Sequence, residues 1–414
     1  MTRIEELLDA LCPDGVRHVV LGDVATTVPG LSGKSKSDFS DGNARYVTFK
    51  NVFQSPVVDE SAAEFVVIKS GERQNELRLG DVVITGSSEN QDDVGMSAVV
   101  DREPSESLYL NSFSFAVRFH DAELIPAFTK FLFRGEGVRS QIRKSATGVT
   151  RINVSKPRFM QVRIPVPPVA VQEEIVAVLE ASTRLEADLN LELEAESNAR
   201  RIQYEHYRAE AFTRLTTPEN WSTLGEVSAH VSSGGTPSTA RDDYYGGGIP
   251  WVRTQEVDFG YITATGKTIS EQGLRNSAAK WIPANCVIVA MYGATAAKVA
   301  MNAIPVTTNQ ACCNLEIDAE RADPRYVFHW ISSQYEALRS LGEGSQSNLN
   351  AKKVRGFGIP VPPLEDQKRL VTLLDGLSEA VEALRGSLSA ERQRRRQQYE
   401  YHRDRLLSFR ELAA

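Results

Sequence analysis

Two short segments carry the lysine and hydroxyl residues that end a phosphate-binding loop. These are Gly33-Lys34-Ser35 and Gly266-Lys267-Thr268. A phosphate-binding loop also requires a glycine five residues before its final glycine, and Val28 and Tyr261 occupy those two positions. Neither segment is therefore predicted to bind a nucleotide.

Residue types that ligate metals or act as nucleophiles are few and scattered. The six histidines and four cysteines show neither the histidine pair four residues apart nor the paired cysteine spacing of zinc sites. Gly246-Gly247-Gly248 lies in a loop-like run instead of opening a helix after a strand, so it does not match a dinucleotide fingerprint. The sequence predicts no catalytic residues, no metal site and no cofactor bound by this chain, so we expect that it is not an enzyme by itself.

The sequence also indicates the cellular compartment in which the protein is expected to work. No apolar run approaches the roughly 18 residues that a membrane-spanning helix needs. The first 15 residues contain several acids and are interrupted by Pro13, unlike a secretion signal. The adjacent Cys312 and Cys313 are poorly placed for an ordinary disulfide. We expect a reduced, cytoplasmic protein with no membrane partner.

Basic and amide side chains form the strongest chemical signal. The net charge of −7 argues against a general polycation, yet residues 130–163 contain nine basic side chains and a single acid, Glu136. Lysine and arginine neutralise phosphates, and asparagine, glutamine and arginine can read base edges. The residues of these and similar types that we predict to contact DNA are Lys34, Lys36, Lys50, Asn51, Asn90, Gln91, Arg143, Lys144, Thr147, Arg151, Asn153, Lys156, Thr236, Ser238, Thr239, Arg241, Tyr244, Arg253, Tyr292, Lys298, Asn309, Gln310, Ser345, Gln346, Asn350, Lys352 and Lys353.

The elements that position these residues are built on an internal repeat. Residues 164–208 align with residues 359–403 without a gap, and 18 of the 45 positions are identical. Each copy opens with Ile-Pro-Val-Pro-Pro and continues into a helix-forming sequence, so a helix is predicted to begin just after Pro168 and Pro363. In the second copy, leucine and valine recur at alternating steps of four and three from Leu370 to Leu388, which is a heptad seam. Each helix would span about 65 Å.

The segments before the helices consist of short alternating stretches separated by glycine and polar clusters, which are typical of mixed, strand-rich domains. The predicted fold class is α+β. It comprises a globular domain over 1–163, a long helix over 164–213, a second globular domain over 214–358 and a second long helix over 359–412.

These features resemble the specificity subunits of type I restriction–modification systems. The resemblance is strongest in the two Ile-Pro-Val-Pro-Pro helices. It extends to Leu21–Val24 and Leu224–Val227 at the domain starts and to Ser233–Pro237 in the second domain. The first domain departs from the family pattern, because Lys34-Ser35-Lys36-Ser37 replaces the Gly-Thr-Pro loop.

The resemblance implies that each globular unit is a target recognition domain that reads one half of a bipartite, asymmetric sequence in double-stranded DNA. It implies that the two helices form an antiparallel coiled coil, relate the domains by a pseudo-two-fold axis and set the spacer between the half-sites. Two adenine-N6 methyltransferase subunits and the restriction subunits would be partners, and S-adenosylmethionine, ATP and magnesium would belong to those partners. The helix residues assigned to the spacer and to methyltransferase docking are Gln172, Leu179, Arg200, Tyr204, Gln367, Leu374, Arg395 and Tyr399.

Two other functions remain open at this stage. The chain could be a protein-interaction scaffold whose two globular domains bind polypeptide, which the net negative charge favours. It could also be an enzyme with an unrecognised site, such as a nuclease, although the missing motifs argue against this.

Overall fold

A computed structural model of the chain describes residues 2–342 and 348–412. The chain divides into two compact units. The first unit comprises residues up to 192 together with those from 390 onward, and the second comprises residues 193–389. Within the described ranges, none of the helices is both long and apolar enough to span a bilayer.

The first unit contains several small sheets and, in its described residues up to 192, six α-helices and the first part of a seventh. Its strands are β1 (Arg17–Val20), β2 (Ala25–Pro29), β3 (Ala44–Val47), β4 (Glu64–Val66), β5 (Val82–Thr85), β6 (Ser87–Ser88), β7 (Ser97–Val99), β8 (Leu108–Leu110), β9 (Ser114–Phe119), β10 (Ala146–Thr147), β11 (Ile152–Val154) and β12 (Arg163–Val166). Its helices are α1 (Arg3–Leu11), α2 (Leu21–Val24), α3 (Phe49–Gln54), α4 (Pro126–Leu132), α5 (Glu136–Ser145), α6 (Lys156–Phe159) and the first part of α7 (Val169–Leu215).

The second unit has the same kind of composition. Its strands are β13 (Trp221–Thr223), β14 (Ser228–Ser233), β15 (Tyr245–Val252), β16 (Tyr261–Ile262), β17 (Thr268–Ile269), β18 (Trp281–Ile282), β19 (Val287–Ala290), β20 (Val299–Asn302), β21 (Val306–Thr308), β22 (Cys312–Ile317) and β23 (Gly358–Pro360). Its helices are α8 (Glu271–Arg275), α9 (Pro324–Ser333), α10 (Tyr335–Ser340), α11 (Ala351–Arg355) and most of α12 (Leu364–Leu406).

Strand order shows that the globular domains repeat as the helices do. The main sheet of the first unit has the order β2-β9-β5-β7, and that of the second has the order β14-β22-β19-β20-β16. The central strands β5 and β19 are continuous apolar runs that are buried on both faces, which is why neither alternates with polar residues. The first unit also contains the three-stranded sheets β4-β3-β8 and β10-β11-β6 and the pair β1-β12, and the second also contains the four-stranded sheet β17-β15-β21-β18 and the pair β13-β23. The predicted α+β fold with an internal repeat is confirmed.

Both long helices begin where the proline rule places them, at Val169 and Leu364. The second helix ends at Leu406, before the predicted boundary at 412, because the chain beyond it turns to form a bridge between Glu411 and Val16. Leu407 enters the core of the first unit.

The helices run antiparallel within each unit. In the first unit Thr183 Oγ1 lies 3.1 Å from Tyr399 Oη, and Arg392 Nε donates to Asn190 Oδ1 at 3.1 Å, so rising numbers in α7 meet falling numbers in α12. In the second unit, Phe212 from the end of α7 shares a buried cluster with Leu370 from the start of α12. Of the heptad-seam residues of α12, Leu370 and Leu374 are buried and Leu377, Val381, Leu384 and Leu388 are half-buried.

A buried glutamine attaches α7 to the domain that precedes it. The Gln172 side chain accepts a hydrogen bond from the Ile125 backbone N–H at 3.0 Å. It donates to the carbonyl oxygens of Glu123 at 2.6 Å and Pro167 at 2.8 Å. Gln172 is fully buried, and its amide satisfies three backbone groups of the preceding domain and linker.

Gln367 repeats this arrangement at the start of α12. Its side chain accepts from the Asp323 backbone N–H at 2.9 Å and donates to the carbonyl oxygens of Pro362 at 2.7 Å and Arg321 at 3.4 Å. The identical glutamines of the sequence repeat therefore form equivalent attachments between helix and domain.

A buried histidine in the second unit, His329, lies beside a charged carboxylate and an arginine. His329 Nε2 lies 2.9 Å from Asp375 Oδ1, and Arg325 also pairs with Asp375. Burial lowers the pKa of His329 below its usual value near 6.5. The hydrogen bond to Asp375 opposes this shift, whereas the positive charges of Arg208 and Arg325 add to it.

This lowered pKa predicts a pH-dependent stability of the second unit. Above about pH 6.5 the histidine is neutral in both states; as the pH falls further, the unfolded chain takes up the proton first and the free energy of unfolding decreases. Urea unfolding detected by tryptophan fluorescence measures this, because all four tryptophans, Trp221, Trp251, Trp281 and Trp330, belong to the second unit. His329→Gln should reduce the dependence between about pH 7 and pH 5.5. An unchanged slope in that variant would assign the dependence to other groups.

Candidate nucleic-acid interface

Several loops of the first unit meet at one edge of its main sheet, where the ends of the strands lie together. Strand β2 ends at this edge, β9 begins there and β5 ends there. Backbone hydrogen bonds join the loops to each other: Leu31 N–H donates to the Leu110 carbonyl at 2.7 Å, and Gly86 N–H donates to the Phe113 carbonyl at 2.9 Å. The Val154 N–H donates to the Gly86 carbonyl at 2.9 Å and brings the β10–β11 hairpin to the same place.

The second unit builds the corresponding edge with different side chains. Gly235 N–H donates to the Thr308 carbonyl at 2.9 Å, and Met291 N–H donates to the Ala311 carbonyl at 2.8 Å. Leu349 N–H donates to the Met291 carbonyl at 2.8 Å. Equivalent strand ends therefore carry loops whose positions match and whose side chains differ.

Two residues predicted to contact DNA have structural roles instead. Only 5% of the Lys34 side chain is exposed, and it donates to the Val67 carbonyl and forms an ion pair with Glu72, each at 2.5 Å. The hydrogen bond from Lys34, together with those from the Lys69 backbone and the Gln74 side chain, lowers the pKa of Glu72 to about 2. Asn51 is also buried; its amide exchanges two hydrogen bonds with the backbone of Asp59. Because these groups are already satisfied inside the domain, the structure argues against a DNA contact for Lys34 and Asn51.

The excess of basic residues over 130–163 is also partly structural. Arg134 and Arg139 donate to backbone carbonyls, and burial lowers the pKa of each to about 10. Lys130, Arg143 and Arg163 pair with carboxylates. Apart from the carbonyl-bound Arg134 and Arg139, the basic residues of this segment for which the described part of the chain shows no carboxylate partner are Lys144, Arg151, Lys156 and Arg158.

Several residues of the second unit that are predicted to contact DNA form ion pairs with carboxylates of the protein. Arg241 pairs with Asp243 at 2.8 Å, Arg253 with Glu256 at 3.6 Å and Lys298 with Asp258 at 2.6 Å. Asn350 caps α11 by accepting from the Lys353 N–H, and Lys353 Nζ donates to the Leu341 carbonyl. Lys352 is exposed.

The remaining residues predicted to contact DNA differ in whether their polar groups already form hydrogen bonds within the protein. Gln91 donates to the Arg143 carbonyl, Asn90 donates to Asp93, Asn309 accepts from the Ala311 N–H, and Thr236 bonds to Gln310. The residues that are exposed or half-buried are Lys36, Lys50, Thr147, Asn153, Ser238, Thr239, Tyr244 and Tyr292. Ser345 and Gln346 lie outside the described residues.

A cavity of about 380 Å³ opens at the edge of the first unit's main sheet where the loops meet. Ser87, Phe113, Arg151, Asn153 and Lys156 line it together with neighbouring small residues. The Arg151 guanidinium lies 5.2 Å from the centroid of the Phe113 ring, and Lys156 Nζ lies 5.3 Å from that of Phe115. This arrangement can present two cations to an anionic or base-like ligand.

Sequence reasoning missed two exposed apolar residues at this edge. Phe113 is 62% exposed and Val149, at the tip of the β10–β11 hairpin, is 95% exposed. Gly148 in the same tip has φ of +133°, a turn conformation that favours glycine. The glycine beside Val149 was an available signal for a projecting turn, whereas Phe113 has the sequence signature of a core residue.

The predicted docking residues of the helices divide by burial. Gln172, Leu179, Gln367 and Leu374 are buried in their own units, which favours a role in the helix framework over direct docking for these four. The exposed Arg200 and Arg395 occupy equivalent places, where each bonds to a glutamate four residues earlier. Tyr204 and Tyr399 are half-buried.

Metal-binding chemistry has no support in the described part of the chain. No group of three or more histidine, cysteine, aspartate or glutamate side chains there could hold a metal ion. The cysteines are free, and burial raises the pKa of the Cys286, Cys312 and Cys313 thiols to about 12, which keeps them protonated and unreactive.

Known proteins show the same architecture. The chain is 32% identical over 266 residues to the EcoR124I/EcoR124II specificity subunit of Escherichia coli, covering 61% of this chain and 64% of that protein. It is 21% identical to the putative MjaX specificity subunit of Methanocaldococcus jannaschii, over 75% of this chain and 74% of the relative.

Solved structures agree on the fold. A chain from a structure reported for complex assembly and conformational transition of the type I R-M system matches with a TM-score of 0.73 and 18% identity, covering 95% of this chain and 98% of that one. The HsdS subunit from Thermoanaerobacter tengcongensis matches with a TM-score of 0.53 and 20% identity, covering 96% of this chain and 97% of that one. The family model described as type I restriction modification DNA specificity domain matches twice, over residues 13–195 and 218–390. The chain therefore belongs to the type I restriction modification DNA specificity family.

Proposed function

We propose that this chain is the non-catalytic specificity subunit of a type I restriction–modification complex and that each globular unit reads one half of a bipartite, asymmetric DNA sequence. The observation that carries the proposal is the pair of equivalent sheet edges, where loops held by equivalent backbone hydrogen bonds present different side chains. A repeated scaffold with unlike contact residues suits the reading of two unlike sequences.

The chemistry available at the two edges differs accordingly. The first unit offers Arg151 and Lys156 beside an exposed aromatic ring, so it has cations that other protein groups do not neutralise. The second unit offers the hydroxyl and amide of Thr236 and Gln310, together with the exposed Tyr292. These groups are donors and acceptors for base edges and phosphates.

The long helices supply the second part of the proposal. Arg200 and Arg395 are exposed, bond to Glu196 and Glu391 and occupy equivalent repeat positions. Two copies of one surface suit two copies of one partner, which we propose to be adenine-N6 methyltransferase subunits. Those subunits would bind S-adenosylmethionine, and the restriction subunits would use ATP and magnesium, with the whole complex in the cytoplasm.

The competing function is a scaffold that binds polypeptides. The family match favours DNA recognition over this alternative. Salt dependence separates the two, because each neutralised phosphate makes DNA affinity fall steeply as salt rises.

Exchange of one unit tests the assignment of half-sites. Replacing residues 1–160 with those of a relative that has a different target should change one half of the methylated sequence and leave the other intact, since each domain has its own core. Sequencing of methylated DNA from cells that express the hybrid with its methyltransferase measures this. A change in both halves would contradict separate reading by the two units.

Lengthening of the helices tests their role as the spacer. A seven-residue insertion after both Leu193 and Leu388 preserves the heptad seam and adds about 10 Å to each helix, the length of about three base pairs. We expect unchanged half-sites with a longer spacer between them. An altered half-site, or an unaltered spacer in a folded and active complex, would contradict this role.

A further inference from the structure

The cavity at the loop-bearing edge of the first unit's main sheet is lined by three chain segments, residues 86–87, 112–115 and 151–156. Strand β11 pairs with both β10 and β6, and Asn153 lies opposite Thr147 on one side and Ser87 on the other. Arg151 directly precedes this strand, and its carbonyl accepts from the Asn153 side chain at 3.1 Å. The pairing of β11 on both sides and this hydrogen bond restrain the backbone next to Arg151, as a recognition side chain requires.

Neighbouring side chains orient the Arg151 guanidinium but leave most of its hydrogen-bond donors unused. It lies 5.2 Å from the centroid of the Phe113 ring, and one Nη donates to Ser87 Oγ at 3.2 Å. Within residues 2–342 and 348–412 it has no carboxylate partner, and its remaining N–H groups have no hydrogen-bond acceptor. This contrasts with Arg143, which pairs with Glu136.

Phe113 accounts for the orientation of this arginine. Its ring is 62% exposed and lines the cavity. Contact with an aromatic face restricts a guanidinium without using its donors. Lys156 lies at the same cavity, where its ammonium group is available to a phosphate.

We propose that Arg151, supported by Phe113, reads a guanine in the half-site recognised by the first unit. The guanidinium fork would donate to guanine O6 and N7 in the major groove, the two acceptors that this fork matches. Asn153 and Ser87 are positioning residues, because their side chains hold the arginine and its backbone. The inference rests on the proposed function and adds the base that is read and the residue that reads it.

Methylome sequencing of cells that express the full complex tests the assignment. The comparison uses the native chain, Arg151→Ala, Arg151→Lys and Phe113→Ala. The matched control is Arg102→Ala, an exposed arginine of the same unit that follows β7 at the opposite edge of the sheet. Circular dichroism melts establish that each variant folds.

For Arg151→Ala we expect relaxed discrimination at one G·C pair of the first half-site, with methylation of the original sequence slowed roughly tenfold to a hundredfold. Arg151→Lys should relax discrimination at the same G·C pair, because lysine lacks the guanidinium fork. Phe113→Ala should weaken that discrimination in part. Arg102→Ala should leave both the motif and the methylation rate unchanged. The second half-site stays intact throughout.

Three results would overturn the assignment. An Arg151→Ala complex that folds and keeps the native motif and rate would remove Arg151 from base reading. Equal slowing on all sequences, with a shallower salt dependence of binding, would make Arg151 a phosphate contact. A first half-site without a G·C pair would exclude guanine. In each case the native motif would still support the proposed function, whereas a native complex that methylates no split motif would contradict that function itself.

Discussion

Replacing Gln367 with alanine should lower the free energy of unfolding of the second unit by about 3 kcal/mol or more and leave the first unit unaffected. The substitution strands the Asp323 N–H and the carbonyls of Pro362 and Arg321, all of which the Gln367 amide now satisfies. Each buried polar group that loses its partner costs about 1–3 kcal/mol, and the vacated space adds to this cost.

Tryptophan fluorescence gives this prediction a unit-specific readout. All four tryptophans belong to the second unit, so the urea midpoint detected by fluorescence reports that unit, whereas circular dichroism reports both. Gln172→Ala is the matched reciprocal variant, because Gln172 makes the same three kinds of contact in the first unit. It should lower the stability seen by circular dichroism and leave the fluorescence midpoint in place. Equal fluorescence shifts in both variants would contradict independent attachments.

The second large effect is expected from Gly234→Ala, which should remove recognition by the second unit. A Cβ atom at this position would lie 1.9 Å from the Thr308 carbonyl oxygen, so the loop that begins here must move away from β21. This movement breaks the Gly235–Thr308 hydrogen bond and displaces Thr236 from Gln310. We expect methylation to fall at least tenfold, because a displaced loop loses contacts that are each worth about 1–3 kcal/mol of discrimination.

A control variant of the same unit separates this effect from a general loss of stability. Gly260→Ala places a Cβ no closer than 3.8 Å to any neighbouring atom and should keep full methylation. Gly30→Ala is the equivalent change in the first unit, where the Cβ would lie 2.0 Å from the Asn111 carbonyl oxygen. Methylation rates of the purified complexes on native-motif DNA provide the measurement. Undiminished methylation by the Gly234→Ala complex would show that this loop does not contribute to recognition.

The repeated helices could be predicted from the sequence because their signals are local. Proline at 168 and 363 determines where each helix begins, and the heptad steps from Leu370 to Leu388 determine which side is buried. The matching glutamines at 172 and 367 were visible as repeat identities, although their role as attachments required the positions of the domains.

The contact residues were harder to predict because residue type does not reveal a distant partner. Lys34 is neutralised by Glu72, which lies 38 positions later in the chain. The Arg139 guanidinium donates to the backbone carbonyls of Asp92, Val94 and Gly95. The exposure of Phe113 depends on how β9 and β11 meet, which no local pattern specifies. The strand order that brings the reading loops together has the same non-local origin.

The central claim is that two unlike halves of one DNA sequence are read by the two units of this chain. Its most direct test is single-molecule sequencing of DNA from a methylation-free host that expresses the chain with the methyltransferase subunit of its complex. The account predicts methylated adenine within one split, asymmetric motif that is absent when the chain is omitted. A soluble complex of chain and methyltransferase that leaves the DNA unmodified would contradict the claim and favour a protein-binding scaffold.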